Sequence, residues 1–96
     1  MITKDPGMIK SALKNIIVND LSVNVNIADI RDDESLFDGG VGLDSIAMVN
    51  FIVVIEKRFD ISFEEHEINA KLFASINELA EFINAKIEKL MFQKNQ

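Results

Sequence analysis

The chain has 96 residues, of which 48% are hydrophobic, enough for one small domain around one packed core and too apolar for disorder. It has no cysteine and a single histidine, which excludes a disulfide framework, a thiolate nucleophile and a thiolate metal site; any thiol chemistry must come from an added group. The net charge of −6 is uneven, with 11 Asp or Glu against 3 Lys or Arg in residues 29–67 and 5 against 7 elsewhere; the acidic stretch repels nucleic acid and attracts basic surfaces, or serves solubility.

Pro6-Gly7 reads as a turn or the start of a helix. Met8, Ile9, Ala12, Leu13, Ile16 and Ile17 recur at helical spacing and predict a first helix to about Asp20. From Leu21 to Ile30, apolar Leu21, Val23, Val25 and Ile27 alternate with polar residues. Alone this is a strand pattern, but no partner strand exists elsewhere, so the segment is read as an extended loop with its apolar residues inward. Asp32–Phe37 is read as one helical turn, and Gly39-Gly40-Val41-Gly42 then breaks regular structure.

The second helix is expected from Asp44 or Ser45 to about Phe59. It is apolar almost all round, with Asn50 the only polar residue between Ile46 and Glu56, so it is either buried or offers apolar surface to something else. Its longest uninterrupted apolar stretch, Phe51–Ile55, is far short of a membrane span, and no basic-then-apolar leader opens the chain; a cytoplasmic protein without membrane insertion is expected. Asp60–Phe63 is a connector. Glu64 to about Asn69 is read as a short helix with acids at its positive end. Ser75 with Glu78 three residues on is a capping-box signal for the last helix, whose apolar stripe is Ile76, Leu79, Ala80, Ile83, Ile87 and Leu90. Residues 1–6 and 93–96 are expected to fray. The sum is a single all-α domain over residues 1–96: a small four-helix bundle of three main helices and a short third one, with a long first loop.

Several chemical signals dissolve on inspection. The glycine run lacks both the preceding strand and the Gly-Lys-Ser/Thr of a phosphate loop. Asp29, Asp32, Asp33, Glu34 and Asp38 do not follow the spacing of a calcium loop and read as a solvated acidic loop with at most weak cation affinity. His66 lies among Glu64, Glu65 and Glu67, which suits a solvated histidine better than a Ser-His-Asp triad or a metal ligand.

Gly42-Leu43-Asp44-Ser45-Ile46 is different. A serine at a helix N-terminus faces outward-pointing N–H groups and the positive end of the dipole, where a phosphodiester on its hydroxyl would be stabilised. Asp44 can serve as N-cap and leave that hydroxyl free. The Asp-Ser-Ile start, Glu56-Lys57-Arg58-Phe59-Asp60-Ile61 at the end of the same helix, Asp32–Asp38 upstream and Ile76–Ile83 downstream together resemble the acyl carrier protein family across roughly residues 8–90. The resemblance implies a non-catalytic carrier in which Ser45, next to Asp44, bears 4′-phosphopantetheine transferred from coenzyme A by a phosphopantetheinyl transferase. It implies Ile46, Val49, Val53 and Glu56 on the partner-facing side, Phe51, Ile55 and Phe59 toward the core, and Met48, Val54, Phe63 and Leu79 as candidates for the lining of an acyl cavity, with no metal. Partners would be acyl-loading and acyl-using enzymes of fatty-acid or specialised lipid or polyketide synthesis, with basic or apolar docking surfaces, acting on a monomer. Relatives usually carry acids where this chain has Ala47 and Asn50, which points to a specialised member. Two alternatives remain at this level: an aminoacyl or peptidyl carrier, and an unmodified helical interaction protein that uses its apolar second helix.

Overall fold

In the computed structural model, residues 6–21, 25–36 and 42–94 are described, without the side chains of residues 6, 93 and 94. Three α-helices are present: α1 (Pro6–Asp20), α2 (Ser45–Phe59) and α3 (Ile76–Lys94). Pro6 opens α1, a position where its fixed φ suits the helix and its missing N–H costs nothing. α1 is the centre of the bundle and packs against both α2 and α3. Its inward stripe of Ile9, Leu13, Ile16 and Ile17 is fully buried against Phe51 and Ile55 of α2 and Ile76, Leu79, Ile83 and Ile87 of α3. Met8, assigned to the same stripe on spacing, instead points outward and is 59% exposed.

The start of α3 and the end of α2 are closed by residue types that favour such ends. Ser75 Oγ accepts the Glu78 N–H at 3.2 Å, and the Asn77 N–H donates to the Asp32 carbonyl at 2.9 Å, so the first turn of α3 is tied to the long loop. α2 stops where Asp60 enters the left-handed region at φ 55°, and the N–H groups of Asp60 and Ile61 both reach the Glu56 carbonyl. Among the described residues no helix is long and apolar enough to cross a membrane.

The connections depart from expectation. The helical turn read at Asp32–Phe37 is only a turn at residues 32–33, while an unforeseen 3₁₀ turn forms at Ile27–Asp29. Leu21 and Ile30 do point inward, but Ile27 is 42% exposed, because the 3₁₀ turn rotates it away from the core; Val23 lies outside the described residues. The short third helix is a single 3₁₀ turn, Glu65–Glu67, whose preceding Glu64 N–H donates to Glu67 Oε1 at 2.7 Å. α3 continues through Lys94, past the expected fraying point, and residues 95–96 and 1–5 lie outside the described chain.

The first loop is anchored by charge and by backbone. Asp32 faces Lys14 and Lys10 of α1, and the Lys14 ammonium holds its carboxyl below the ordinary carboxylate range. Leu36, fully buried, accepts the Leu43 N–H at 2.9 Å. The glycine doublet and Val41 between them lie outside the described residues.

Candidate functional site

The approach to α2 begins at Gly42, whose φ of 82° is one that a side-chain-bearing residue adopts only with strain. Leu43 is buried and seats the backbone in the core. Asp44 is extended, and its Oδ1 accepts the Ala47 N–H at 2.8 Å, making it the N-cap. Ser45 is then the first residue of α2. It is exposed, and among the described residues its hydroxyl has no hydrogen-bond partner. The oxygen therefore stands free at the positive end of a 15-residue helix. An exposed hydroxyl so placed is open to esterification.

Next to Ser45 lies an open cleft of about 290 Å³, lined by Ser45, Met48, Val49, Ile52, Ile68, Asn69 and Phe73. Its far wall is the segment between α2 and α3. Asn69 shapes that wall: its side chain accepts the Leu72 N–H at 3.0 Å and donates to the His66 carbonyl at 3.3 Å. Of the four residues put forward for an acyl cavity, Met48 lines this cleft. The other three sit elsewhere: Leu79 is fully buried in the core, Val54 packs against it, and Phe63 stacks on Phe82 with ring centroids 5.8 Å apart. Ile52, Ile68 and Phe73 were not singled out from sequence. The adjacent apolar pair Leu72-Phe73 just before the Ser75 cap was the available signal.

On the outer side of α2, Ile46 is 75% exposed, Val49 59% and Val53 40%. Glu56 is half-buried, and its carboxylate accepts the Phe63 N–H at 2.9 Å, so its charge is spent on the connector. Ala47 is a correction: it had been paired with Asn50 as a surface position open to acids, yet it is buried, while Asn50 is exposed. The cap bond to Asp44 draws the first turn of α2 onto the core and takes Ala47 with it.

His66 is exposed, with Nε2 4.0 Å from the Glu64 carboxylate. One ligand atom from each of Glu64, His66 and Glu67 could lie within 4.8 Å of the others. Glu67 is already committed, however. Its Oε1 takes the Glu64 N–H and the Lys86 ammonium at 2.9 Å, and these two, the backbone bond foremost, hold its carboxyl below the ordinary range. A second open cleft of about 370 Å³, between that turn and α3, is lined by His66, Glu67, Asn69, Lys71, Leu72, Glu78 and Phe82 and does not include Ser45.

The phosphopantetheine attachment site family matches residues 11–83, which span α1 to α3 and contain Ser45. Among curated proteins, the chain is similar to an acyl carrier protein of Desulforapulum autotrophicum, 32% identical over 81% of this chain and 96% of that protein. It is also similar to the acyl carrier protein MbtL of Mycobacterium bovis and of Mycobacterium tuberculosis, each 33% identical over 70% of this chain and 76% of the relative.

Proposed function

Given that the chain belongs to the acyl carrier protein family, carriers rather than catalysts that hold a covalent 4′-phosphopantetheine, we propose that Ser45 bears that arm here. The observation that carries the reading is the exposed Ser45 hydroxyl at the start of α2, without a hydrogen-bond partner among the described residues, with Asp44 taking the capping role. On transfer from coenzyme A the hydroxyl oxygen gives up its proton and attacks the pantetheine-bearing phosphorus, the pyrophosphate P–O bond breaks and adenosine 3′,5′-bisphosphate leaves; the oxygen becomes an ester oxygen of a phosphodiester, whose charge the helix N-terminus stabilises by about 0.3–1 kcal/mol. Partner enzymes then load and use an acyl group held as a thioester on the arm's terminal thiol, a group the chain itself lacks. The acyl chain rests in the cleft that starts at Ser45 and runs to Ile68 and Phe73. The pathway is specialised rather than general fatty-acid synthesis, because the exposed face of α2 offers no carboxylate for a basic docking patch.

Intact mass after incubation with coenzyme A and a broad phosphopantetheinyl transferase tests the attachment. The wild-type chain is expected to gain one arm. Ser45→Ala is expected to gain none while melting at the same temperature, since one exposed hydroxyl and no core atom is lost. An arm on Ser35 or on the buried Ser75 would overturn the assignment. For the cleft, each buried methylene contributes up to about 0.8 kcal/mol, and a domain this size gains about 4–8 °C in Tm per kcal/mol. Melting temperature is therefore expected to climb with acyl length from acetyl upward; identical melting across the series would leave the chain in solvent.

A further inference from the structure

Residues 64–71, between Phe63 stacked on Phe82 and buried Leu72, bring Ile68 and Asn69 to the far wall of the Ser45 cleft. Every side chain of this stretch is exposed except that of Glu67, which is half-buried. Its turn is built from bonds between near neighbours: the Glu64 N–H to Glu67 Oε1, the Glu67 N–H to the Glu64 carbonyl, the Ile68 N–H to the Glu65 carbonyl and the Asn69 side chain to the His66 carbonyl. Such bonds fix the shape of the wall but not its distance from α2. A segment that buries so little sits at the low end of local stability.

An ion pair joins this wall to α3. Glu67 Oε1 and the Lys86 ammonium lie 2.9 Å apart, and their side chains are 17% and 18% exposed, so salt screens the pair less than it screens a surface one. The ammonium also stands 5.5 Å from the Phe82 ring centroid, which helps to hold the cation in place. Lys86 lies beyond residue 83, where the family match ends, so the cation comes from a turn of α3 that the match does not include. The wall has open space on both sides, since Asn69 lines the cleft at Ser45 and also the second cleft of about 370 Å³. There is room for it to shift, and a shift of about 1 Å takes Glu67 out of hydrogen-bonding distance of Lys86.

Resting on the readings of Ser45 and of the cleft beside it, we propose that Lys86 is a positioning residue for the acyl group. By clasping Glu67 it fixes the wall at Ile68 and Asn69, and so sets the longest acyl chain that the cleft takes. While the clasp holds, methylenes beyond that length stay in water. With the clasp cut, the wall yields and the burial of further methylenes draws it to a wider position.

The wild type, Lys86→Met, Lys86→Arg and Glu67→Gln are each loaded by a broad phosphopantetheinyl transferase from acyl-coenzyme A of even length, acetyl to hexadecanoyl, and the load is verified by intact mass. Melting temperature is read against the acetyl form of the same variant, which subtracts any loss of stability common to all lengths. The wild type is expected to gain with length and then level off. Lys86→Met keeps the apolar stem beside Phe82, and Glu67→Gln keeps an acceptor for the Glu64 N–H; both are expected to level off at chains longer by about two carbons or more. Lys86→Arg keeps the cation and is expected to level off with the wild type. Levelling at the wild-type length in both cut variants, a shift in one of them alone, or a shift in Lys86→Arg equal to that in Lys86→Met would overturn the proposal and leave Ser45 and the cleft standing. A wild-type gain that never levels off also overturns it. A wild-type melting temperature indifferent to length removes the cleft and the clasp together. No mass gain on the wild type, with a control carrier modified in parallel, removes the Ser45 reading as well.

Discussion

Asp44 and Ser45 divide between them two tasks that compete for the same oxygen. A serine at the N-cap spends its hydroxyl on a backbone N–H; here the preceding residue supplies the cap, and the serine, one step into the helix, keeps its hydroxyl uncommitted. The arrangement makes Asp44 a structural residue with a functional consequence. Asp44→Ala is expected to cost about 1 kcal/mol, read as a lower urea midpoint with an unchanged slope, whereas Asp44→Asn keeps an accepting oxygen and costs only a fraction of that. Equal midpoints for Asp44→Ala and the wild type would show that the 2.8 Å bond to Ala47 contributes nothing net.

The two faces of α2 follow different rules, and a pair of substitutions separates them. Ala47→Asp pushes a carboxylate into a buried position beside the Asp44 carboxylate and is expected to destabilise by about 2 kcal/mol or more. Asn50→Glu, on the exposed face, is expected to stay within about 0.5 kcal/mol of wild type; equilibrium urea unfolding of both reads the contrast, and equal stabilities would place Ala47 at the surface. That position also shows where reading the sequence ran out. α1 and α3 alternate apolar and polar residues at helical spacing, so their buried faces were legible in all but Met8, and the Asp44 and Ser75 caps located two helix starts. α2 has two polar residues in its first eleven, Ser45 and Asn50, so its periodicity holds little phase information; the resemblance supplied Phe51, Ile55 and Phe59 as inward and Ile46, Val49 and Val53 as outward, as the structure has them, and only packing revealed that Ala47 and Met48 face inward. Of the two 3₁₀ turns, Glu65–Glu67 was read as a longer short helix and Ile27–Asp29 was not foreseen: three-residue turns arise from local hydrogen bonds such as Ile30 N–H to the Ile27 carbonyl, which leave no periodic trace. The cleft lining was missed because Ile68 and Phe73 reach it only through the geometry of the Glu65–Glu67 turn.

Across the whole molecule, ion pairs tie down at the surface the same connections that Ile30, Leu36, Leu72 and Phe73 anchor in the core. Lys14 and Lys10 hold the first loop to α1 through Asp32, and Lys86 holds the turn before α3 through Glu67, lying also 5.5 Å from the Phe82 ring centroid. Both carboxyls have pKa values below the unfolded ones. Their contribution is therefore fully present above the ordinary carboxylate range and is lost as pH falls through the lowered folded values. Glu67→Gln is expected to reduce stability by about 1 kcal/mol near pH 7, the difference shrinking as pH falls below the ordinary carboxylate range; an undiminished difference in acid would assign the loss to packing. The bond from the Leu43 N–H to the Leu36 carbonyl has a consequence of its own. It fastens the backbone of buried Leu36 to the residue just before the Asp44 cap, so the start of α2 is moored from two directions, by the helix that follows it and by a stretch of loop that already sits in the core.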